Sequence, residues 1–110
     1  YELTAEQEQG LGSAHAEDLL SLPYVQDIEY PAVAYQVSKR ANHIRVRFAA
    51  RQWGMRGARI NSISPGVVST PMGHQELASE TGAITRSMVD GSASGRIGTS
   101  DDIAAAAAFL

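Results

Sequence analysis

The sequence predicts an α/β fold, in which a long helix feeds a short buried strand that ends in a sharp turn. Two observations carry that expectation. Residues 34–55 contain no proline and, apart from Gly54, no glycine, while Val37, Ala41, Ile44, Phe48 and Ala49 recur at a helical period. Directly after them, residues 58–64 read ARINSIS, a run with Ile60 and Ile63 as its bulk, bounded by Gly57 on one side and Pro65-Gly66 on the other. A helix followed by a short apolar strand is the alternation from which α/β sheets are built.

The remaining elements follow in order. Residues 4–20 hold good helix formers: Thr4 can cap, Gln7 stands where the second half of a capping box belongs, and Gly10 and Gly12 interrupt the pattern. One or two short, weakly anchored helices are expected there. Leu19, Leu20, Leu22 and Tyr24 lie among Pro23 and Pro31, whose fixed φ favours an irregular crossing segment over a site or interface. Gly54 and Gly57 end the long helix where a left-handed cap is needed, with Arg51 and Arg56 near its negative end. Residues 73–90 are moderately helical and split at Gly82; residues 91–98 (GSASGRIG) form a mobile glycine-rich loop. Thr99 and Ser100 then offer a hydroxyl cap, and Asp101 and Asp102 bring two acids to the positive end of a last helix. Tyr1 in place of Met, and a helical run over 103–110 without a stop signal, read as the ends of a fragment.

Composition excludes several classes. With 110 residues, one domain is the ceiling, and 44% hydrophobic with 19% charged residues is ordinary globular usage. Nine Lys and Arg against twelve Asp and Glu give a net charge of -3, the wrong sign for a phosphate-tracking surface, so no nucleic-acid partner is expected. The absence of cysteine removes disulfides, thiolate metal sites and thiol nucleophiles and fits a reducing, cytoplasmic setting. No apolar run is long enough for a membrane span, and no metal site is expected, since His15 and His74 have no partners at metal-ligand spacing.

Tyr35 and Lys39 are the first chemical unit. They stand four apart on the long helix, so their side chains share one face and can reach the same space. A free phenol is only ~0.1% ionised at neutral pH, and a nearby ammonium favours the charged form. Such spacing also arises by chance in many helices. The second unit is Pro65-Gly66-Val67-Val68-Ser69-Thr70, directly after the strand: proline stops a ladder and glycine allows a close approach, so the chain turns at a strand's carboxyl end, where open α/β sheets bind ligands. A strand-ending turn with no ligand is the plainer alternative. His43, one turn beyond Lys39, and Trp53 read as packing or interface residues, Met72 and Met88 as core or apolar pocket, and Arg40, Arg45, Arg47 and Arg51 as a solvated or paired flank.

Taken together, Tyr35-Gln-Val-Ser-Lys39, some twenty helical residues, then residues 57–72 (GARINSISPGVVSTPM) resemble the YxxxK helix and PG loop of the short-chain dehydrogenase/reductase family. Gly95-Arg-Ile-Gly98 followed by Ser100-Asp-Asp-Ile103 is similar to the stretch before that family's last helix, so the resemblance covers residues 34–110, with 1–33 an insertion of short helices. The resemblance implies part of a doubly wound parallel, Rossmann-type sheet whose nucleotide-binding half is missing from this chain. It implies reversible hydride transfer between NAD or NADP and an alcohol/carbonyl substrate, and a homodimer or homotetramer. Tyr35 would be the general acid/base and Lys39 would hold the nicotinamide ribose and assist Tyr35. Val68 would offer backbone to the carboxamide, Pro65, Gly66 and Thr70 would shape or contact that end of the cofactor, and residues 71–95 would bind substrate. The phosphate loop, the catalytic asparagine and the serine would precede Tyr1; Ser21, fourteen residues before Tyr35, has the wrong setting. The rival expectation is a catalytically incomplete scaffold that self-associates through helix 34–55.

Overall fold

The computed structural model describes residues 2–110. The chain forms two compact units, Tyr1–Ser62 and Ile63–Leu110.

The first unit is helical. α1 (Ala5–Ser13) is followed by a 3-10 turn (Ala16–Ser21), the single turn α2 (Pro23–Gln26) and the long α3 (Pro31–Met55). The Thr4 capping box forms as its sequence requires: the Thr4 hydroxyl accepts from the Gln7 N–H at 3.2 Å, and the Gln7 side chain accepts from the Thr4 N–H at 2.9 Å. α3 begins at Pro31, earlier than the expected residue 34, because a proline at the first helical position lacks only an N–H that would have no intrahelical partner there. At its other end the Ala58 N–H bonds Trp53 O and the Gly57 N–H bonds Gly54 O, both at 3.0 Å, while Gly57 sits at φ 71°. That closing pattern needs a left-handed residue, which glycine adopts without steric cost. Gly54 itself lies inside α3.

Val37, Ala41 and Ile44 form one stripe of α3 and bury against Leu11 of α1, with Leu22, Tyr24, Val25 and Ile28 packed around them. Ile44 is fully buried, at 0% exposure. The weak anchoring expected of α1 is not what forms. Arg40 and Arg47 both pair with Glu8, and Arg45 donates to Leu11 O and Ala14 O, each at 2.9 Å, tying α3 to the carboxyl end of α1. Nor does Gly12 break the helix: a Cβ there would lie 2.5 Å from the Phe48 ring, so its bareness lets the two helices close. Arg40, Arg45 and Arg47 of the flank, and Gly12 among the glycines read as interruptions, are the contact itself. Trp53, read as a packing or interface residue, is 46% exposed and so is not part of this core.

The second unit holds α4 (Pro71–Ala78), α5 (Gly82–Asp90) and α6 (Ser100–Phe109). The break at Gly82 separates α4 from α5 as its position requires, and the missing side chain leaves room for Leu77 O. At α6 the Thr99 hydroxyl accepts from the Asp102 N–H at 3.2 Å and the Asp102 carboxylate accepts from the Thr99 N–H at 2.8 Å. Thr99→Ala removes one arm of this box and is expected to cost about 1 kcal/mol, read as a lower midpoint in urea unfolding of the full chain with an unchanged m-value. Among the described residues of this unit no apolar side chain is fully buried; its buried positions are Gly73, Gly82 and Thr85.

The doubly wound parallel sheet is not present among the described residues. Residues 58–64 take no strand conformation, and the single β pairing is an isolated parallel bridge between Val68 and Gly98. The reason lies in pairing. A strand is held by its neighbours in a ladder, and the other apolar segments here coil into helices, leaving ARINSIS nothing to pair with. The strand-like composition was real; the partner was not.

Candidate active site

Tyr35 and Lys39 project from α3 on the face opposite Val37, Ala41 and Ile44. Tyr35 is 61% exposed, so the pair is open to a ligand rather than committed to the core. Spacing of four along the helix brings the Lys39 Nζ to 5.4 Å from the Tyr35 ring centroid, a cation–π distance. The ammonium sits against the ring face, and both polar ends of the pair stay on the same exposed side of the helix. The intervening Ser38 hydroxyl donates to Tyr35 O at 2.8 Å.

The second unit builds its loop around Val68. The Gly98 N–H donates to Val67 O at 2.9 Å and Gly98 O accepts from the Ser69 N–H at 2.8 Å. With both bonds made by its neighbours, Val68 turns its own N–H and C=O to the side away from Gly98, as the parallel pattern dictates. Its carbonyl accepts from the Thr70 N–H at 2.9 Å. Thr70 then caps α4, its hydroxyl accepting from the Gly73 N–H at 3.1 Å, and Gly73 is bare where any Cβ would strike Val68 O. Pro65 and Gly66 are exposed and, with Val68, Met88 and Ile103, line a cavity of about 390 Å³. Sequence-predicted site residues therefore group as Tyr35 with Lys39 in the first unit, and Pro65, Gly66, Val68 and Thr70 in the second. Ser21 ends the 3-10 turn and is exposed.

Two features of the second unit escaped the sequence reading. His74, expected as a lone surface histidine, lies with its Nε2 at 3.1 Å from the Ser69 hydroxyl. Arg96 grips Asp102 with two nitrogens on two oxygens, at 2.8 and 2.9 Å, and also donates to Ile97 O at 3.0 Å. The guanidinium, and after it the Thr99 N–H, hold the Asp102 carboxyl well below the usual carboxylate range. The signal was available in part, since Asp102 occupies the capping-box position after Thr99. That Arg96 folds forward onto the same carboxylate depends on the turn between them, which composition does not specify.

A family model described as Enoyl-(Acyl carrier protein) reductase matches residues 7–110. Short-chain dehydrogenase/reductase bsc3 of Alternaria brassicicola is 38% identical over 103 residues, which cover 93% of this chain and 38% of that protein. D-threitol dehydrogenase of Mycolicibacterium smegmatis is 40% identical over 78 residues, 71% of this chain and 29% of that protein. 3beta-hydroxysteroid dehydrogenase 1 of Eggerthella lenta is 31% identical over 101 residues, 91% of this chain and 34% of that protein. No solved structure matches significantly. This chain belongs to the short-chain dehydrogenase/reductase family, and it spans roughly a third of the length of these relatives.

Proposed function

We propose that this chain supplies the proton-transfer pair and the nicotinamide-side loop of an NAD- or NADP-dependent oxidoreductase that interconverts an alcohol and a carbonyl compound. The observation that carries the reading is Tyr35, exposed on α3 with the Lys39 ammonium 5.4 Å from its ring centroid. Relatives named for a threitol and a hydroxysteroid support an alcohol as the substrate class.

The donor set of the second unit fits a nicotinamide ring. Its carboxamide presents an acceptor oxygen, and the Val68 N–H, turned away from Gly98, is a donor to match it, while the Val68 carbonyl is held by the Thr70 N–H at 2.9 Å. Gly66, where an added Cβ would meet nothing within 4 Å, leaves open space beside it, and Pro65 and Thr70 bound the loop at its two ends. When bound, NAD or NADP supplies or accepts the hydride. The Tyr35 hydroxyl gives its proton to the carbonyl oxygen in reduction and takes the hydroxyl proton in oxidation. Lys39, one turn along the same face, would hold the cofactor's ribose hydroxyls. Residues 71–95, with Met88 and Glu76 at the cavity, bind the substrate. The protein works in the cytoplasm as a homodimer or homotetramer, for which the exposed Trp53 and Met55 on α3 give an apolar contact.

Lys39→Met in the full-length enzyme raises the KM for the cofactor roughly ten- to hundredfold, the worth of a charge-assisted hydrogen bond. Steady-state kinetics with the nicotinamide absorbance as readout check it. An unchanged KM would sink the reading.

A further inference from the structure

We infer that Arg96 and Asp102 are positioning residues for Val68: their ion pair closes residues 96–102 into a rigid ring that holds Gly98 alongside Val67 and Ser69. This rests on the cofactor reading above.

The geometry leads there in steps. Val68 can present its N–H in a fixed direction only while its two neighbours stay bonded to Gly98, by the 2.9 Å bond to Val67 O and the 2.8 Å bond from Ser69. Gly98 has no side chain to anchor it, and it follows a stretch rich in glycine and serine in which Gly95 takes φ 61°. Something outside the bridge must hold it. Arg96 lies two residues before Gly98 and Asp102 four after, and their two-pronged contact at 2.8 and 2.9 Å spans it. The same guanidinium donates to Ile97 O and the same carboxylate accepts from the Thr99 N–H, so the residues on both sides of Gly98 are pinned to one salt bridge. Planar guanidinium and carboxylate groups meeting along two parallel bonds fix orientation as well as distance. No atom of Arg96 or Asp102 need touch cofactor for this role.

The test compares two probes on the full-length enzyme: the nicotinamide dinucleotide that the wild type binds, and ADP-ribose or its 2′-phosphate, which lacks the nicotinamide and its carboxamide. Arg96→Gln is expected to weaken dinucleotide binding about tenfold, the worth of one or two misaligned hydrogen bonds, and to leave the ADP-ribose probe unchanged. Asp102→Asn, which keeps an acceptor for the Thr99 N–H but loses the charge, is expected to shift the two probes in the same way and guards against a folding defect in the first variant. Equal loss of both probes in the two variants, or no loss of either, would overturn the positioning role while leaving the cofactor reading in place. A wild type that binds the ADP-ribose probe as tightly as the dinucleotide would overturn both, since Val68 would then have no carboxamide to read.

Discussion

Tyr35→Phe in the full-length enzyme lowers the rate of cofactor-linked turnover about a thousandfold, inside the range seen when a positioned acid/base group is lost. The substitution removes one hydroxyl and keeps the ring over which Lys39 sits. Because Tyr35 is 61% exposed and faces away from the Val37, Ala41 and Ile44 stripe, folding should be indifferent to the change. The expected signature is therefore a collapsed kcat with a thermal midpoint within about a degree of wild type, since surface changes away from packed groups stay within roughly 0.5 kcal/mol. A rate within threefold of wild type would remove Tyr35 from the chemistry. A large fall in midpoint would instead mean that the phenol is a structural member of its unit.

The largest effect on stability is expected from Ile44→Ala, which should destabilise the chain by about 3 kcal/mol, in the usual range for truncating a fully enclosed aliphatic side chain. Ile44 is 0% exposed and has Leu11, Val37 and Ala41 as buried neighbours, so few other side chains are available to fill the space it leaves. Small domains are stable by only about 5–15 kcal/mol, so one residue holds a large share. Urea unfolding followed by helical circular dichroism measures it. Ile84→Ala serves as the contrast: the same residue type at 61% exposure on α5 should move the midpoint little. If the two substitutions cost the same, the core has been drawn in the wrong place.

Local chemistry was readable from the sequence where its cause was local. Thr4 with Gln7 announced a capping box, and Thr99 or Ser100 a hydroxyl cap before two acids, because these groups act within one turn; that Thr99 and Asp102 pair reciprocally came only with the structure. The YxxxK spacing put Tyr35 and Lys39 on one face for the same reason. What failed depended on partners distant in sequence. ARINSIS had the composition of a strand, yet a ladder needs a second strand that the first cannot specify. Gly12 looked like a flaw in α1 until Phe48, from α3, filled the room it leaves. Arg40 and Arg47 read only as solvated or paired because their carboxylate, Glu8, stands more than thirty residues earlier. Pro31 was misread from the opposite side, as a breaker where it is a start, since the same missing N–H that stops a helix in its middle does no harm at its first position. At the site, the loop around Val68 was placed by its Pro-Gly turn, but the residue that pairs with it, Gly98, was not.

The Val68–Gly98 bridge joins two points thirty residues apart in the chain. Bringing the ends of such a loop together costs roughly 3 kcal/mol of chain entropy on a logarithmic length dependence. Two backbone hydrogen bonds contribute about 1–3 kcal/mol net between them, so on its own the bridge is near balance. The helices of the same unit close over short spans and meet no comparable cost. The bridge is thus the costliest closure of its unit, and the Arg96–Asp102 contact that spans Gly98 adds to what keeps Val68 pointing one way.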